Sequence, residues 1–187
     1  GGSYFDQQGI VGGEQSGFRR YTANLNYTTE LTDKVTANAV VAYSRQDRKT
    51  LLENNIGSVL FNALNMPPNF TPVTRNGDFT LAEGLGSEVI NPLAQIANTY
   101  NDIRVNRFVG KAAVTYKPIE GLSFESSMPF NFSLQEFKGF GPAVFYGSGK
   151  VFNQVESSIS ENLINNTSWG WDNVLNYERI IRDDHKL

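Results

Sequence analysis

The sequence contains no cysteine, a single histidine and no long hydrophobic run. Without cysteine the chain cannot form disulfides, thiolate metal sites or thiol nucleophiles. A transmembrane helix needs about 20 mostly apolar residues in succession, and no stretch of the sequence provides them. A transmembrane strand needs only ~9–11 residues. The sequence therefore excludes a transmembrane helix within these residues. It is compatible with a membrane protein built of strands.

Charge of either sign is also modest, with 16 basic and 19 acidic side chains and a formal net charge of −3. Such a weak, mixed charge provides no electrostatic surface for nucleic acid, so we expect no nucleic-acid partner. The hydrophobic share of 40% and the aromatic share of 12% are too high for a disordered tail. Because the first residue is glycine, we expect any export signal to lie outside this sequence.

Apolar and polar residues alternate along much of the chain, which is the pattern of strands with one apolar and one polar face. The alternating stretches are residues 20–31, 35–44, 107–117, 122–135 and 161–182, with the end of a further strand at 3–11. Leu25 and Val114 lie on the apolar side, whereas Arg107 and Lys111 lie on the polar side. Pro129 has no N–H to donate, so we expect a bulge or an unpaired position there.

Short and long connections also alternate. Residues 32–34, 117–121 and 183–186 are short turns, whereas 50–102 and 138–153 are long loops. In an antiparallel meander this places short turns at one edge and long loops at the other, as in outer-membrane barrels. We therefore predict an all-β fold, in which antiparallel up-and-down strands form about six strands of a transmembrane β-barrel wall. The long extracellular loops carry short helices, at 56–65 and after Asn91 and Pro92.

Several segments together resemble one family. They are SYFDQQGIV at 3–11, GFRRY at 17–21, ALNMPP at 63–68, NPLAQ at 91–95, VNRF at 105–108 and WDNVLNY at 171–177. In this order they resemble the barrel region of SusC/RagA-type TonB-dependent transporters of Bacteroidetes. The resemblance implies an outer-membrane importer with a barrel of about 22 strands, an internal plug and a SusD-like lipoprotein lid that closes over glycans or peptides. Energy would come from the TonB complex.

Under this interpretation residues 1–187 are a partial barrel region, and the sequence shows neither a plug domain nor a segment that contacts TonB. The expected location is the outer membrane, in contact with its lipid. The alternative is a soluble all-β carbohydrate-binding or adhesin-like module, in which the apolar faces pack together as a sandwich. The two interpretations differ in what covers the apolar faces.

Five residues of the long loops are candidate contacts for a ligand or for the lid. Amides bond to hydroxyls and aromatic rings stack on sugar rings, so the candidates are Asn54, Asn55, Asn69, Phe145 and Tyr146. The alternative for the two aromatic residues is packing within the loop.

Four aromatic residues on strands are candidates for the membrane–water interface, where amphipathic rings are enriched. They are Trp169, Trp171, Tyr43 and Tyr116. For the tryptophans, an extension of the barrel beyond the membrane is the alternative.

The chain has few residues suited to catalysis. His185 follows Asp183 and Asp184 in a polar turn, and one histidine beside two acids does not define a metal site or a catalytic group. We therefore expect no enzyme activity, no catalytic residue, no bound metal and no cofactor.

Overall fold

The computed structural model describes residues 1–53, 55–178, 180–181 and 185–186. Its strands are β1 (Gly2–Gln8), β2 (Gly17–Thr32), β3 (Val35–Lys49), β4 (Tyr100–Ile119), β5 (Leu122–Gly141), β6 (Ser158–Trp169), β7 (Asp172–Tyr177), β8 (Ile180–Ile181) and β9 (His185–Lys186). Its α-helices are α1 (Val59–Asn65) and α2 (Pro92–Ala97), and a short 3-10 helix covers Gly13–Gln15. Within these residues no helix is both long and apolar enough to cross a membrane.

Strands β1 to β6 lie in chain order in one antiparallel sheet, each paired with the next. Strand β7 follows β6 along the chain and also pairs with β5, so β6 and β7 share one edge of β5. Among the described residues, β1 pairs only with β2 and the sheet does not close. The predicted fold class is confirmed, since the up-and-down antiparallel sheet is six strands wide and open, as in part of a barrel.

The register joins the apolar sides of neighbouring strands into one face. Leu25 lies opposite Val41, Val41 opposite Gly110, and Gly110 opposite Phe130. Directly opposite residues project to the same side of a sheet, so the alternation on each strand adds up across all of them. We call the side that carries Leu25 the apolar face and the other side the polar face.

The apolar face is exposed in this structure. Leu25 is 60% exposed and Leu175 is 67% exposed. Most of the buried apolar residues belong instead to the loops, where Ile90, Ala94 and Tyr146 form a small cluster. A β-sandwich would bury the apolar face, so the described residues do not supply the core on which the soluble alternative depends.

Pro129 does not produce a bulge, and the other expected outcome, an unpaired position, is found on the β6–β7 side of its strand. Pro129 pairs in register with Lys111, and β5 continues through it. The effect of Pro129 appears on the opposite edge of β5, which pairs with β6 and β7. There Gly170 donates its backbone N–H to the Pro129 carbonyl at 3.0 Å, but Pro129 has no N–H to donate in return. The ladder is interrupted there, and the predicted stretch 161–182 is divided into β6 and β7.

The connections match the predicted alternation of short and long. The long loops cover residues 50–99 and 142–157, because β4 and β5 extend further than the sequence pattern indicated. Helix α2 begins at Pro92 as predicted, whereas α1 begins later than predicted. Gly57 has a φ of +82°, outside the helical region, and Ser58 then caps α1 by accepting the Phe61 N–H at 3.2 Å.

Candidate functional site

The apolar face ends in the same way on several strands. The apolar run toward the long loops ends on an aromatic residue and the next residue on that face is polar, as in Tyr21 and Arg19, Tyr43 and Arg45, and Phe108 and Asn106. The apolar runs on β2 to β5 are roughly nine to eleven residues long. This is the length of a tilted strand that crosses a bilayer. The face therefore has the extent and the aromatic border of a lipid-facing band.

Of the predicted interface aromatics, Tyr43 lies at this loop-side border. Trp169 lies on the apolar face and is 70% exposed, but Leu163 and Ile159 lie beyond it on that face, nearer the long loop. Tyr116 lies at the opposite end, beside Val35 and near the short turns. Trp171 lies between β6 and β7, and its indole Nε1 donates to Ser126 Oγ at 2.8 Å. That these rings contact a membrane interface stays a prediction.

A row of alternating charges lies on the apolar face just beyond the aromatic border. It consists of directly opposite residues on five neighbouring strands, Asp6, Arg19, Asp47, Arg104 and Glu136. Three links measure 3.2 Å for Arg19–Asp6, 3.0 Å for Arg104–Asp47 and 3.9 Å for Arg104–Glu136. Partly exposed pairs of this kind contribute little stability individually. Their position marks where the apolar runs of β1 to β5 have ended, although Tyr100 and Phe140 form a further aromatic pair beyond the row on the same face.

The polar face carries hydrogen-bonded side chains along its length. Cross-strand pairs include Asn38 with Thr28 at 2.7 Å, Arg107 with Asn131 at 3.1 Å and Lys111 with Glu125 at 2.6 Å. Arg107 and Lys111 thus lie on the side predicted from the sequence. Such a surface is suited to water or to a polar neighbouring segment.

The two long loops bind to each other and form one unit. The contacts that join them are Ala82 N–H to Tyr146 O at 3.2 Å, Val151 N–H to Ser87 O at 3.1 Å, Lys150 Nζ to Gly86 O at 2.9 Å and Ser148 N–H to Glu83 Oε1 at 2.9 Å. Lys150 is only 5% exposed. Its buried ammonium group therefore holds the loop at 142–157 to backbone carbonyls of the loop at 50–99.

Buried amides hold the first long loop together. Asn62 Nδ2 donates to Gln95 Oε1 at 2.7 Å, which links α1 to α2. Gln95 Nε2 in turn donates to the Gly57 carbonyl at 2.7 Å. Asn62 and Gln95 were not predicted as important, because nothing in the local sequence distinguishes a buried amide from an exposed one.

The predicted loop contacts occupy different environments. Asn54 lies outside the described residues, and Asn55 and Asn69 are exposed. Phe145 is 57% exposed, whereas its neighbour Tyr146 is 7% exposed and burial raises the pKa of its hydroxyl. Of the described candidates, only Tyr146 lines the cavity of about 400 Å³ between the two loops. Their contact with a ligand or a lid stays a prediction.

Within the described part of the chain, no group of three or more histidine, aspartate or glutamate side chains is placed to hold a metal ion. The predicted turn at 183–186 falls largely outside the described residues, and so does the side chain of His185.

Comparisons with known proteins show that this chain is similar to TonB-dependent receptors. No protein-family model matches the sequence. TonB-dependent receptor P26 of Formosa agariphila is 27% identical over 192 residues, which cover 99% of this chain and 18% of that protein. TonB-dependent receptor P39 of the same organism is 28% identical over 186 residues, which cover 98% of this chain and 17% of that protein.

Among solved structures, the RagAB peptide transporter superposes with a TM-score of 0.77 at 19% identity, over 98% of this chain and 20% of that one. The chain thus spans about a fifth of the length of the proteins it matches. These comparisons confirm the resemblance of the chain to the barrel region of SusC/RagA-type TonB-dependent receptors.

Proposed function

We propose that these residues form part of the wall of an outer-membrane TonB-dependent importer. The observation that supports this most is the continuous, exposed apolar face on strands of bilayer length, bordered by aromatic residues and then by charges. Apolar surface gains about 25 cal/mol per Å² when it leaves water, so a face of this extent requires a cover. Outer-membrane lipid supplies that cover in the proposal.

The polar face then lines the interior of the barrel, against water or a plug supplied by other residues. Residues 1–187 provide wall and outer loops, with the loops at 50–99 and 142–157 on the extracellular side. A SusD-like lipoprotein would close over these loops, and the TonB complex would act through parts of the receptor beyond these residues. The cargo is a glycan or a peptide, and its uptake involves no covalent chemistry.

Substitutions on opposite faces of the same strands test this proposal. We expect Leu25→Asp and Val114→Asp, made in the native polypeptide, to reduce the amount of folded receptor in the outer-membrane fraction sharply. A charge on the lipid side costs up to ~2–4 kcal/mol near the bilayer centre for a basic residue, and somewhat less for a carboxylate.

The matched controls are Asn24→Asp and Thr115→Asp, which lie next to those residues in the chain and on the polar face. We expect both controls to assemble at close to the native level, because that face already carries polar groups. Equal losses on the two faces would refute the membrane-wall assignment.

A further inference from the structure

Arginines on the two faces of the sheet differ in their partners. The apolar face has three arginine–carboxylate pairs with distances of 3.2 Å, 3.0 Å and 3.0 Å, which are Arg19–Asp6, Arg45–Asp47 and Arg104–Asp47. The polar face also has three arginines, which are Arg20, Arg48 and Arg107. None of these three forms an ion pair with a residue that the structure describes. The polar face therefore carries positive charge that its own sheet does not neutralise.

The acidic residues of the polar face lie at the other end of the strands. They are Glu30, Glu125 and Asp172, all in the half of the sheet nearer the short turns. Glu125 already accepts a hydrogen bond from Lys111 at 2.6 Å. In the half nearer the long loops, the described strands place the three arginines and no acidic residue on the polar face. A wall with charge of one sign concentrates anions in the water beside it.

Arg48 contains a buried donor without an acceptor. Its Nε is buried and has no hydrogen-bond partner, and it is the one buried side-chain atom in this state among the residues that the structure describes. Arg48 lies directly opposite Phe18 on β2 and Ile103 on β4, so apolar residues flank it on both sides. A buried donor that stays unbonded is costly, and apolar surroundings strengthen its attraction to an anion. Arg48 therefore requires an acceptor from outside the described residues.

Arg20 is placed to bind the same anion as Arg48. It lies opposite Gln46, two residues before Arg48 on β3, so Arg20 and Arg48 are diagonal neighbours on one face. Diagonal neighbours have Cβ atoms about 7–8 Å apart, within reach of long side chains. Arg20 is exposed, and its side chain makes no hydrogen bond to the described residues. The two guanidinium groups can therefore converge on one carboxylate, the group that arginine binds through two parallel hydrogen bonds.

We propose that Arg20 and Arg48 bind a carboxylate group of the cargo at the mouth of the barrel. Both residues lie near the loop-side ends of their strands, which are the extracellular ends in the proposed importer and the first part of the wall that the cargo reaches. The inference rests on the proposed importer function and adds that its cargo is acidic. An acidic sugar and an acidic peptide both supply a carboxylate, and the test distinguishes these two sources.

The test compares probes that share a backbone and differ in charge. Binding to the native receptor, purified in detergent at low ionic strength, is measured by isothermal titration calorimetry. Trigalacturonate is compared with its trimethyl ester, and triglutamate is compared with triglutamine. We expect at least one of the two acids to bind about 10-fold more tightly than its counterpart, or better, and the pair that shows this preference identifies the source as sugar or peptide. Added salt should reduce the preference, because salt screens exposed charges.

Matched variants locate the binding. Arg20→Gln combined with Arg48→Gln should weaken binding of the preferred acid by about 10- to 100-fold, the effect of lost hydrogen bonds to a charged group, and leave binding of its counterpart unchanged. The control combines Arg19→Gln with Lys49→Gln, at neighbouring positions on the apolar face. The control removes the same charge from the receptor, and we expect it to leave the affinity within about twofold. Arg20→Gln alone, at an exposed position, should fold and show part of the loss.

The outcomes separate this inference from the proposed function. If the receptor assembles as the face test predicts and neither acid binds more tightly than its counterpart, the carboxylate site is wrong and the importer proposal stands. A preference for an acid that survives both Arg20→Gln and the double variant also overturns the site. A double variant with a lower thermal unfolding midpoint and an unchanged preference overturns it as well, because the arginines would then pair with a carboxylate of the receptor itself.

Discussion

At the scale of single residues, Asn91 shows how one amide organises a long loop. The residue is 1% exposed, and its Oδ1 accepts the Leu93 N–H at 3.0 Å, which caps α2. Its Nδ2 donates to the carbonyls of Pro72 at 2.7 Å and Thr80 at 3.0 Å. One side chain therefore ties a helix to two distant segments of the same loop.

Replacing this amide should loosen the loop and leave the sheet intact. Asn91→Ala removes the cap and leaves two carbonyls without their donor, at a cost of ~1–3 kcal/mol to the folded loop. We expect faster cleavage within residues 50–99 during limited proteolysis of the native receptor. Asn69→Ala, at an exposed position, should be cleaved at the native rate. Identical rates for the two variants would show that Asn91 does not hold the loop.

Residue-scale predictions from sequence succeed where the signal is local. Asn91 followed by proline is a capping pattern, and α2 begins there as predicted. Phe145 and Tyr146 have the same local setting among glycines, yet one is exposed and the other is buried against Ile90. Their difference arises from contacts with the other loop, which the local sequence does not encode.

At the scale of elements, the turn between β4 and β5 depends on Gly121. Its φ is +78°, a conformation that other residues rarely adopt, and its carbonyl accepts the Glu178 N–H at 2.7 Å. A Cβ at this position would run into the Glu178 carbonyl oxygen. The turn is therefore restricted both by its own backbone and by the strand beside it.

Gly121→Ala should lower the thermal unfolding midpoint of the native receptor more than Gly84→Ala does. Gly84 also has a positive φ, of +73°, but an added Cβ would meet no atom within 4 Å. The control therefore carries only the backbone cost of ~1 kcal/mol, whereas Gly121→Ala adds a steric clash. Equal midpoints for the two variants would contradict the close packing of this turn against the end of β7.

The elements themselves were largely predictable because alternation is a strong local pattern. The alternation predicted the strands and their two faces, and it also predicted the face on which Trp169 and Leu175 lie. It did not predict where β4 and β5 end on the loop side. There the residues no longer alternate between apolar and polar, yet the strands stay paired. Nor did it indicate that the effect of Pro129 would fall on the neighbouring strand, which depends on the side to which its backbone points.

At the scale of the whole molecule, properties arise that no single strand carries. The charge row exists only because the register aligns one residue from each of five strands, among them Asp47 and Arg104. The open sheet leaves the outer edge of β1 without a partner among the described residues. Unpaired edges promote aggregation, so further strands would be needed to complete the barrel.

The central claim is that lipid covers the apolar face, and site-directed spin labelling tests it most directly. These 187 residues contain no cysteine that would compete for the label. We would place single cysteines at successive positions 22–27 of β2 in the native receptor, reconstituted in liposomes, and measure collision rates with oxygen and with a water-soluble nickel chelate. Oxygen concentrates in lipid and the chelate stays in water, so the two reagents distinguish the environments.

The account predicts a period of two residues. Labels at Ala23, Leu25 and Tyr27 should collide often with oxygen and rarely with the chelate, whereas labels at Asn24 and the other intervening positions should not favour oxygen. Low collision rates with both reagents at Ala23, Leu25 and Tyr27 would show that protein covers this face and would contradict the account.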